Sequence, residues 1–338
     1  MYFFYILKRY FINFVLILFS LSFFFVLIDF IANYSRLPDS SNLQVLYIYY
    51  EILYSIDMFY PLALVFSYLL TVYYMVKFNE IVSFYSLGFS PKKLLMPFMF
   101  LALCVFTLFM FLDSGKFAYV KEYANSILNK NKYSSNNLFL KYKDKIIYIK
   151  KIRPILKEVE NVKVFILDKN SIKKIIVAKK AKFKNDVWIA KKAEITLING
   201  DKITKEVKDI KLLKGFKPKI ISNLKKLNSI SLYDAYIAIN LFNDVNINTL
   251  LSIVFYKIFT ALSLIFIIFA LMFKIPLHSR ISNVSLFLVK SSFFTILIWG
   301  SDLMIYKFAK QGVVSPYLLA LPFFVILVYG IYLFYKEK

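Results

Sequence analysis

The order of apolar and polar segments constrains this chain more than any other feature. Three long apolar runs precede a polar block, and three more follow it. A helix needs roughly 20 mostly apolar residues to cross a hydrocarbon core of ~30 Å. The runs that meet this length are residues 11–31, 52–76, 94–112, 250–273, 284–305 and 316–335. The sequence therefore predicts an α-helical membrane protein with six transmembrane helices in a 3+3 arrangement.

The polar block between the third and fourth apolar runs predicts an inserted all-β domain. It contains short β-branched and aromatic runs, which polar turn clusters separate. These runs are residues 145–150, 162–167, 175–178 and 187–190. Regular short strands with polar turns are typical of a sandwich or a jelly roll. We predict a jelly roll with flanking helical connectors at 115–247, between transmembrane helices at 1–114 and 248–338.

The charge of the chain is concentrated in the same polar block. The whole chain has a formal net charge of +24, and residues 116–226 hold 30 Lys/Arg against 10 Asp/Glu, a net of +20. A basic domain beside a membrane can meet anionic lipid or glycolipid as readily as nucleic acid. The excess is equally consistent with Lys being simply the favoured polar residue, so charge alone does not choose the partner.

The short loops predict the orientation of the bundle, because Lys and Arg accumulate in short cytoplasmic loops. One end of the predicted bundle carries Lys8, Arg9, Lys77, Lys92, Lys93, Lys274, Arg280, Lys336 and Lys338. The short connectors of the other end carry Arg36, Lys307 and Lys310. We therefore predict an inner-membrane protein with both termini in the cytoplasm and the β domain in the periplasm.

The residues that usually carry catalysis are scarce. The chain has one cysteine, Cys104, and one histidine, His278, so it cannot supply a Cys/His metal cluster. It also lacks a G-x-x-x-x-G-K-[ST] phosphate loop and a G-x-S-x-G elbow. The sequence predicts no catalytic site, no metal site and no cofactor in this chain.

Charged residues within apolar spans are costly and often functional. Those of the predicted spans are Asp29, Asp57, Lys257, Lys290 and Asp302. Lys257 could meet an anionic headgroup near the outer end of its span, or it could pair with an aspartate of another helix. The residues alone do not decide between these two readings. For Lys290, near the inner end of its span, snorkelling to the interface is the better interpretation.

The segment between the second and third spans predicts a short amphipathic helix at about 77–89. Phe78, Ile81, Val82 and Tyr85 recur at helical spacing, and Gly88 is well placed to end the helix. Such a helix can lie on a membrane or dock into a partner. Its polar face has few cations, which favours a cytoplasmic partner protein.

This arrangement resembles the LptF/LptG permeases, the membrane subunits of the lipopolysaccharide-exporting ABC transporter. The segment Phe-Asn-Glu-Ile-Val-Ser-Phe-Tyr-Ser-Leu-Gly-Phe-Ser at 78–90 is similar to the coupling helix of that family. Ala178, Ala181 and Trp188 resemble an A-x-x-A…W pattern of its β domain. Ser231 to Tyr233, leading to Tyr256 and Lys257, resembles its entry into the fourth span.

The resemblance implies the partners of this chain. They are an LptB-like ATPase dimer that binds and hydrolyses ATP, a paralogous six-span permease, and an LptC-like periplasmic jelly-roll protein. It also implies lipopolysaccharide as the substrate and no nucleic acid. The length and the Leu-Ile-Asp-Phe segment around Asp29 favour an LptG-like over an LptF-like chain.

The resemblance also implies two groups of site residues. Glu80, Phe84 and Gly88 are expected to contact the ATPase subunit. Arg36 and Lys257 are expected near lipopolysaccharide, together with Asp29, at which LptG-type chains can carry a basic residue.

Two other classes of protein remain as alternatives. A mechanotransmitting or lipoprotein-release component of an ABC system usually has four spans, which the 3+3 pattern argues against. A membrane scaffold or sensor with a periplasmic partner-binding domain needs no glycine-terminated docking helix between the second and third spans. The predicted helix at 77–89 therefore favours the permease.

Overall fold

The computed structural model describes residues 2–128, 135–142, 145–153, 158–168, 171–184, 187–199, 202–212, 230–241, 247–276 and 283–336. In chain order its α-helices are α1 (Tyr2–Ala32), α2 (Ser41–Lys77), α3 (Glu80–Ser86), α4 (Pro91–Asp113), α5 (Val120–Leu128), α6 (Leu232–Leu241), α7 (Ile247–Phe255), α8 (Ala261–Met272), α9 (Val284–Lys310) and α10 (Leu321–Lys336). A π-helical turn, Tyr256–Thr260, joins α7 to α8. Short 3₁₀ helices cover Tyr34–Arg36, Lys116–Tyr119 and Pro316–Ala320.

The six predicted spans are confirmed. Within the described residues, six helical segments are long and apolar enough to cross a membrane, namely α1, α2, α4, the continuous segment Ile247–Met272, α9, and the segment Pro316–Lys336. The single histidine, His278, lies outside the described residues. So do residues 213–229 and 242–246 of the predicted β domain and its helical connectors.

Helix α2 lies at the centre of the bundle. In its most apolar stretch of 18 residues, 72% of the residues are buried. In the corresponding stretches of α1, α9 and the segment Pro316–Lys336 only 22–28% are buried, so these spans leave apolar side chains for lipid. Polar side chains of α1 form hydrogen bonds with α2 in this buried interior. The Tyr10 hydroxyl donates to the Leu64 carbonyl at 3.0 Å, and the Asn13 amide donates to the Thr71 hydroxyl at 2.8 Å. Burial without such partners would be unfavourable.

The bundle has two ends, which we name by what they carry. The terminal end holds Arg9 and Glu80 in contact, and Lys92 lies 4.0 Å from the ring centroid of Phe334 near the end of α10. The insertion end is where the chain leaves α4 for the β strands and re-enters at α7. Asp29 and Tyr47 are in contact there, because α1 and α2 run antiparallel.

The inserted region is a six-stranded antiparallel sheet. Its strands are β1 (Ser135–Tyr142), β2 (Lys145–Arg153), β3 (Glu158–Asp168), β4 (Ser171–Lys184), β5 (Val187–Asn199) and β6 (Lys202–Leu212). The prediction of an inserted all-β region is confirmed. Each strand pairs with the next one in the chain, so the described strands form an up-and-down meander. The crossovers of a Greek-key jelly roll do not occur among these strands.

One face of the sheet is apolar and buried. Ile147, Val164, Ile176 and Ile195 are register partners on successive strands, and all four are buried. Lysines alternate with such residues along the strands and point to the other face, since successive side chains of a strand alternate. Most of the described strand lysines are therefore a solvated surface.

The chain divides into two compact units, Met1–Lys121 with Ile247–Lys338 and Glu122–Asn246. The sequence placed the first boundary slightly earlier, at 114/115. The intervening residues belong with the helical unit, because they include Lys121, whose ammonium group contacts Glu51 of α2 at 2.8 Å.

Helices α8 and α10 approach each other closely at Gly330. A Cβ atom built there would lie 2.6 Å from Cδ1 of Phe269. The rings of Phe273 and Phe334 lie 5.6 and 6.0 Å from that of Phe269 and confine it. Glycine is therefore required at this position by packing.

We predict that Gly330→Ala makes the chain less stable than Gly300→Ala does, by about 1–3 kcal/mol. No atom lies within 4 Å of a Cβ built at Gly300, so that variant is the matched control. Both substitutions gain the same helix propensity, ~1 kcal/mol, so the difference isolates the packing strain. Unfolding of the detergent-solubilised variants measures it, and equal stabilities would contradict the close approach.

Candidate functional site

The segment between α2 and α4 is a short helix closed by a well-formed C-terminal cap. The Phe89 amide donates to the Phe84 carbonyl, and the Gly88 amide donates to the Tyr85 carbonyl, both at 3.0 Å. Gly88 has φ +80°, which favours glycine, and the rings of Phe84 and Phe89 pack edge to face at 5.8 Å. These are the bonds and the apolar contact of a Schellman motif. Phe84 and Gly88 thus determine the shape of the segment.

Two further features fix the segment to the bundle. Ile81 is 1% exposed and packs in the main hydrophobic core. Ser90 caps α4, with its hydroxyl accepting from the Lys93 amide at 3.4 Å, and Pro91 begins that helix. Because both ends and the inner face of α3 are held, its orientation is set by the bundle.

Glu80 is engaged by residues of α1. Nη1 of Arg9 donates to both carboxylate oxygens of Glu80 at 2.7 Å, and the Tyr5 hydroxyl donates to Oε1 at 3.3 Å. The Arg9 guanidinium also lies 5.5 Å from the ring centroid of Tyr74 in α2. The Arg9 and Glu80 side chains are 24% and 22% exposed. The predicted partner contact Glu80 is therefore mostly covered by its own chain.

Two large apolar side chains are exposed on the outward side of the same segment. Phe78 is 60% exposed and Leu87 is 72% exposed, and they flank α3 at its two ends. The sequence prediction named Glu80, Phe84 and Gly88 as partner contacts and did not include these two side chains. It placed Phe78 on one helical face with Ile81, Val82 and Tyr85, and it did not single out Leu87.

A buried charge cluster lies at the insertion end around the π-helical turn. The Lys257 ammonium donates to Asp57 of α2 at 3.4 Å and to Asp113 at the end of α4. Asp113 is 1% exposed. Lys257 thereby joins three spans. The sequence left open a contact with an anionic headgroup and a pairing with an aspartate of another helix, and the structure shows the pairing. π-helical turns of this kind often occur at functional sites.

A second cluster lies around Lys121, in the first turn of α5. Its ammonium group contacts both carboxylate oxygens of Glu51 at 2.8 Å and Asp29 at 3.7 Å. Asp29 also accepts hydrogen bonds from the Tyr47 hydroxyl and, at 3.3 Å, from the Asn33 amide. Asp29, a predicted lipid contact, is thus bound within the chain.

Arg36 differs from the other two predicted lipid contacts. It ends the 3₁₀ helix after α1 and is exposed. Over the described part of the chain, no acidic side chain lies within 4 Å of its guanidinium group. Its charge is therefore available to an anion. The structure does not bring Arg36, Asp29 and Lys257 into one cluster.

Asp302 of α9 is a further buried acid. Its side chain is fully buried, and neither carboxylate oxygen has a hydrogen-bond partner within the described ranges. Those ranges also contain no group of three or more His, Cys, Asp or Glu residues that could hold a metal ion.

Together these features define a polytopic helical membrane protein with a β insertion and with exposed apolar side chains on the segment 77–89 at its terminal end. The family model described as lipopolysaccharide export system permease LptF/LptG matches residues 4–336. The chain therefore belongs to the LptF/LptG family of lipopolysaccharide export permeases, which are transporter components. That model covers LptF and LptG chains alike. A search of curated proteins finds no match.

Proposed function

We propose that this chain is a permease subunit of the ABC transporter that extracts lipopolysaccharide from the inner membrane and passes it to a periplasmic bridge. The observation that carries the proposal is the family match over nearly the whole chain, residues 4–336. The length and the position of Asp29 favour an LptG-like subunit. In the complete transporter the second six-span permease is its paralogue.

The energy of transport comes from ATP bound to an LptB-like ATPase dimer, and this chain carries no nucleotide. The segment 77–89 docks onto that dimer from the cytoplasm. Phe78 and Leu87 supply exposed apolar area, while Phe84 and Gly88 hold the segment in its bent form. Burial of apolar side chains at a rigid helix is a common basis of such contacts.

The orientation follows from the charges of the short loops. The terminal end, with Lys8, Arg9, Lys77 and Lys92, is cytoplasmic, and the insertion end faces the periplasm. The β sheet then lies in the periplasm, where its apolar face accepts acyl chains and hands them to an LptC-like protein. The lysine-rich face remains in water.

Arg36 makes the first contact with a lipopolysaccharide phosphate, because it is exposed and lacks an acidic partner among the described residues. Guanidinium groups suit phosphate, which they bind with paired hydrogen bonds. Lys257 and Asp29 remain predicted headgroup contacts. To bind phosphate, Lys257 would have to exchange a carboxylate partner for it.

We predict that Arg36→Glu lowers photocrosslinking of lipopolysaccharide to the insertion end by about tenfold, the effect of losing a strong phosphate contact. Arg36→Lys keeps the charge and is the matched control, with a loss of about threefold or less because the paired geometry alone is lost. A photoreactive amino acid at Tyr34, which is 70% exposed, reports the contact. Unchanged crosslinking in Arg36→Glu would remove Arg36 from the binding site.

The proposed function is tested by expressing the tagged chain in its own cells and identifying what co-purifies. The proposal predicts a cytoplasmic ATPase and a second six-span chain in defined ratio, two ATPase copies to one of each permease. A chain recovered with an envelope protein but with no ATPase would favour the scaffold alternative and contradict the permease.

A further inference from the structure

The contact between Arg9 and Glu80 joins the docking segment to the first span. A single guanidinium nitrogen lies 2.7 Å from both oxygens of Glu80, and the Tyr5 hydroxyl lies 3.3 Å from one of them. Arg9 and Tyr5 lie one helical turn apart on α1, so both face α3. A second contact, between the rings of Tyr2 and Phe89 at 4.5 Å, reinforces the same junction.

The environment of this ion pair makes it stronger than an ordinary surface pair. Both side chains are less than one quarter exposed. The centroid of the Tyr74 ring lies 5.5 Å from Cζ of the guanidinium group and adds a cation–π contact. Charge-assisted hydrogen bonds in such partly shielded places contribute more than fully solvated pairs do.

The same geometry leaves little of Glu80 for another protein. Both carboxylate oxygens already accept hydrogen bonds from α1, whereas Phe78 and Leu87 project from the segment with most of their surface free. A partner that docks on the segment can therefore bury these two apolar side chains. Replacing the Arg9 contact by a partner's cation would leave the Arg9 charge without its carboxylate.

We propose that Arg9 and Glu80 form an intrachain latch that fixes the docking segment to span α1, and that Glu80 acts through Arg9 rather than by binding a partner's side chain. Glu80 is then a positioning residue. A displacement of α3 also moves α1, because the latch and the Tyr2–Phe89 contact join the docking segment to α1 at two points. The transmission rests on the proposed function; the latch itself does not.

The latch is tested on the purified chain alone, in lipid nanodiscs, by amide hydrogen exchange of residues 80–86. Arg9→Glu and Glu80→Arg each raise the exchange rate about tenfold, the effect of losing a shielded charge-assisted pair. The swapped double variant, Arg9→Glu with Glu80→Arg, returns the rate to within about threefold of the unmodified chain, since the pair is restored. Lys8→Glu is the matched control: Lys8 is exposed, and no acidic side chain of the described residues pairs with it.

The role in transport is tested in the complete transporter by the amount of lipopolysaccharide released per ATP hydrolysed. Both single variants lower this ratio about tenfold, because the lost pair changes the free energy by the same amount as in the exchange measurement. The swapped double variant restores most of the ratio. ATPase binding changes little in Arg9→Glu, because the apolar docking face is intact.

Two results would overturn the inference. If Glu80→Arg and the swapped variant both lose ATPase binding while Arg9→Glu is normal, Glu80 contacts the partner directly. If neither single variant alters exchange, there is no latch. A third result separates the latch from the proposed function. If the hydrogen-exchange variants show the pairing but a complex of unmodified chains moves no lipopolysaccharide, the proposed function is contradicted and the latch is not.

Discussion

Lys257→Met destabilises the helical bundle by about 3–5 kcal/mol, because it leaves two carboxylates without their cation in a low-dielectric interior. Asp113 is 1% exposed and cannot regain water without opening the helices. Asp57 loses its partner at the same time. The expected result is a large fall in the unfolding midpoint of the purified chain in detergent.

Two companion variants give this prediction its specificity. Lys290→Met also removes a lysine from a span, but Lys290 is exposed and forms no ion pair with a described residue, so its midpoint stays within a few degrees of the unmodified chain. The triple variant Lys257→Met, Asp57→Asn and Asp113→Asn removes all three charges together. Its stability returns to within about 1 kcal/mol, since a neutral buried cluster has no uncompensated charge.

The triple variant also separates the two roles of Lys257. If Lys257 only holds the helices together, the triple variant folds and still crosslinks to lipopolysaccharide. If Lys257 binds a lipid phosphate, the triple variant folds but loses that crosslink. A stable Lys257→Met single variant would contradict the buried ion cluster itself.

Leu87→Asp prevents docking of the ATPase, with a loss of co-purified ATPase of about tenfold or more, as expected for a central apolar contact. Leu87 is 72% exposed and follows α3 directly. An aspartate there puts a charge into an apolar contact and removes the buried area that stabilises it. Quantitative recovery of the ATPase on the tagged chain measures the effect.

Val313→Asp is the matched control for this prediction. Val313 is 71% exposed and lies in the turn after α9, at the insertion end. The Val313→Asp variant introduces the same charge at a similarly exposed position but away from the docking face, so the recovery of the ATPase stays unchanged. Equal losses in the two variants would show that the charge acts on folding or insertion rather than on docking.

The spans could be predicted from the sequence because hydropathy is a local property. Six apolar runs of sufficient length gave six helices in the right order. The observed helices are longer than the runs: α1 begins at Tyr2, not at residue 11, because Lys8 and Arg9 continue the helix beyond the apolar stretch. Helical hydrogen bonding does not end where hydropathy does.

The strands were found but their lengths were underestimated. The runs at 175–178 and 187–190 became β4 and β5, which have 14 and 13 residues. Lysines at alternate positions lower the local hydropathy without ending a strand, since they occupy its solvated face. Strand order is a property of pairing, so the meander was not available from the separate runs.

The charged side chains were identified, but their partners were not. Arg9 and Glu80 are 71 residues apart in the chain, and Lys121 and Glu51 are 70 apart. Such pairs depend on how helices are placed side by side, which no local pattern encodes. For the same reason Asp113 fell just outside the predicted third span, although it is the last residue of α4 and contacts Lys257.

The central claim is most directly tested by transfer of lipopolysaccharide in a reconstituted system. Proteoliposomes contain this chain, the second permease and the ATPase, and vesicles with an LptC-like acceptor receive the glycolipid. The account predicts ATP-dependent transfer that Val313→Asp leaves intact and Leu87→Asp abolishes. Transfer that continues without this chain, or equally with Leu87→Asp, would contradict it.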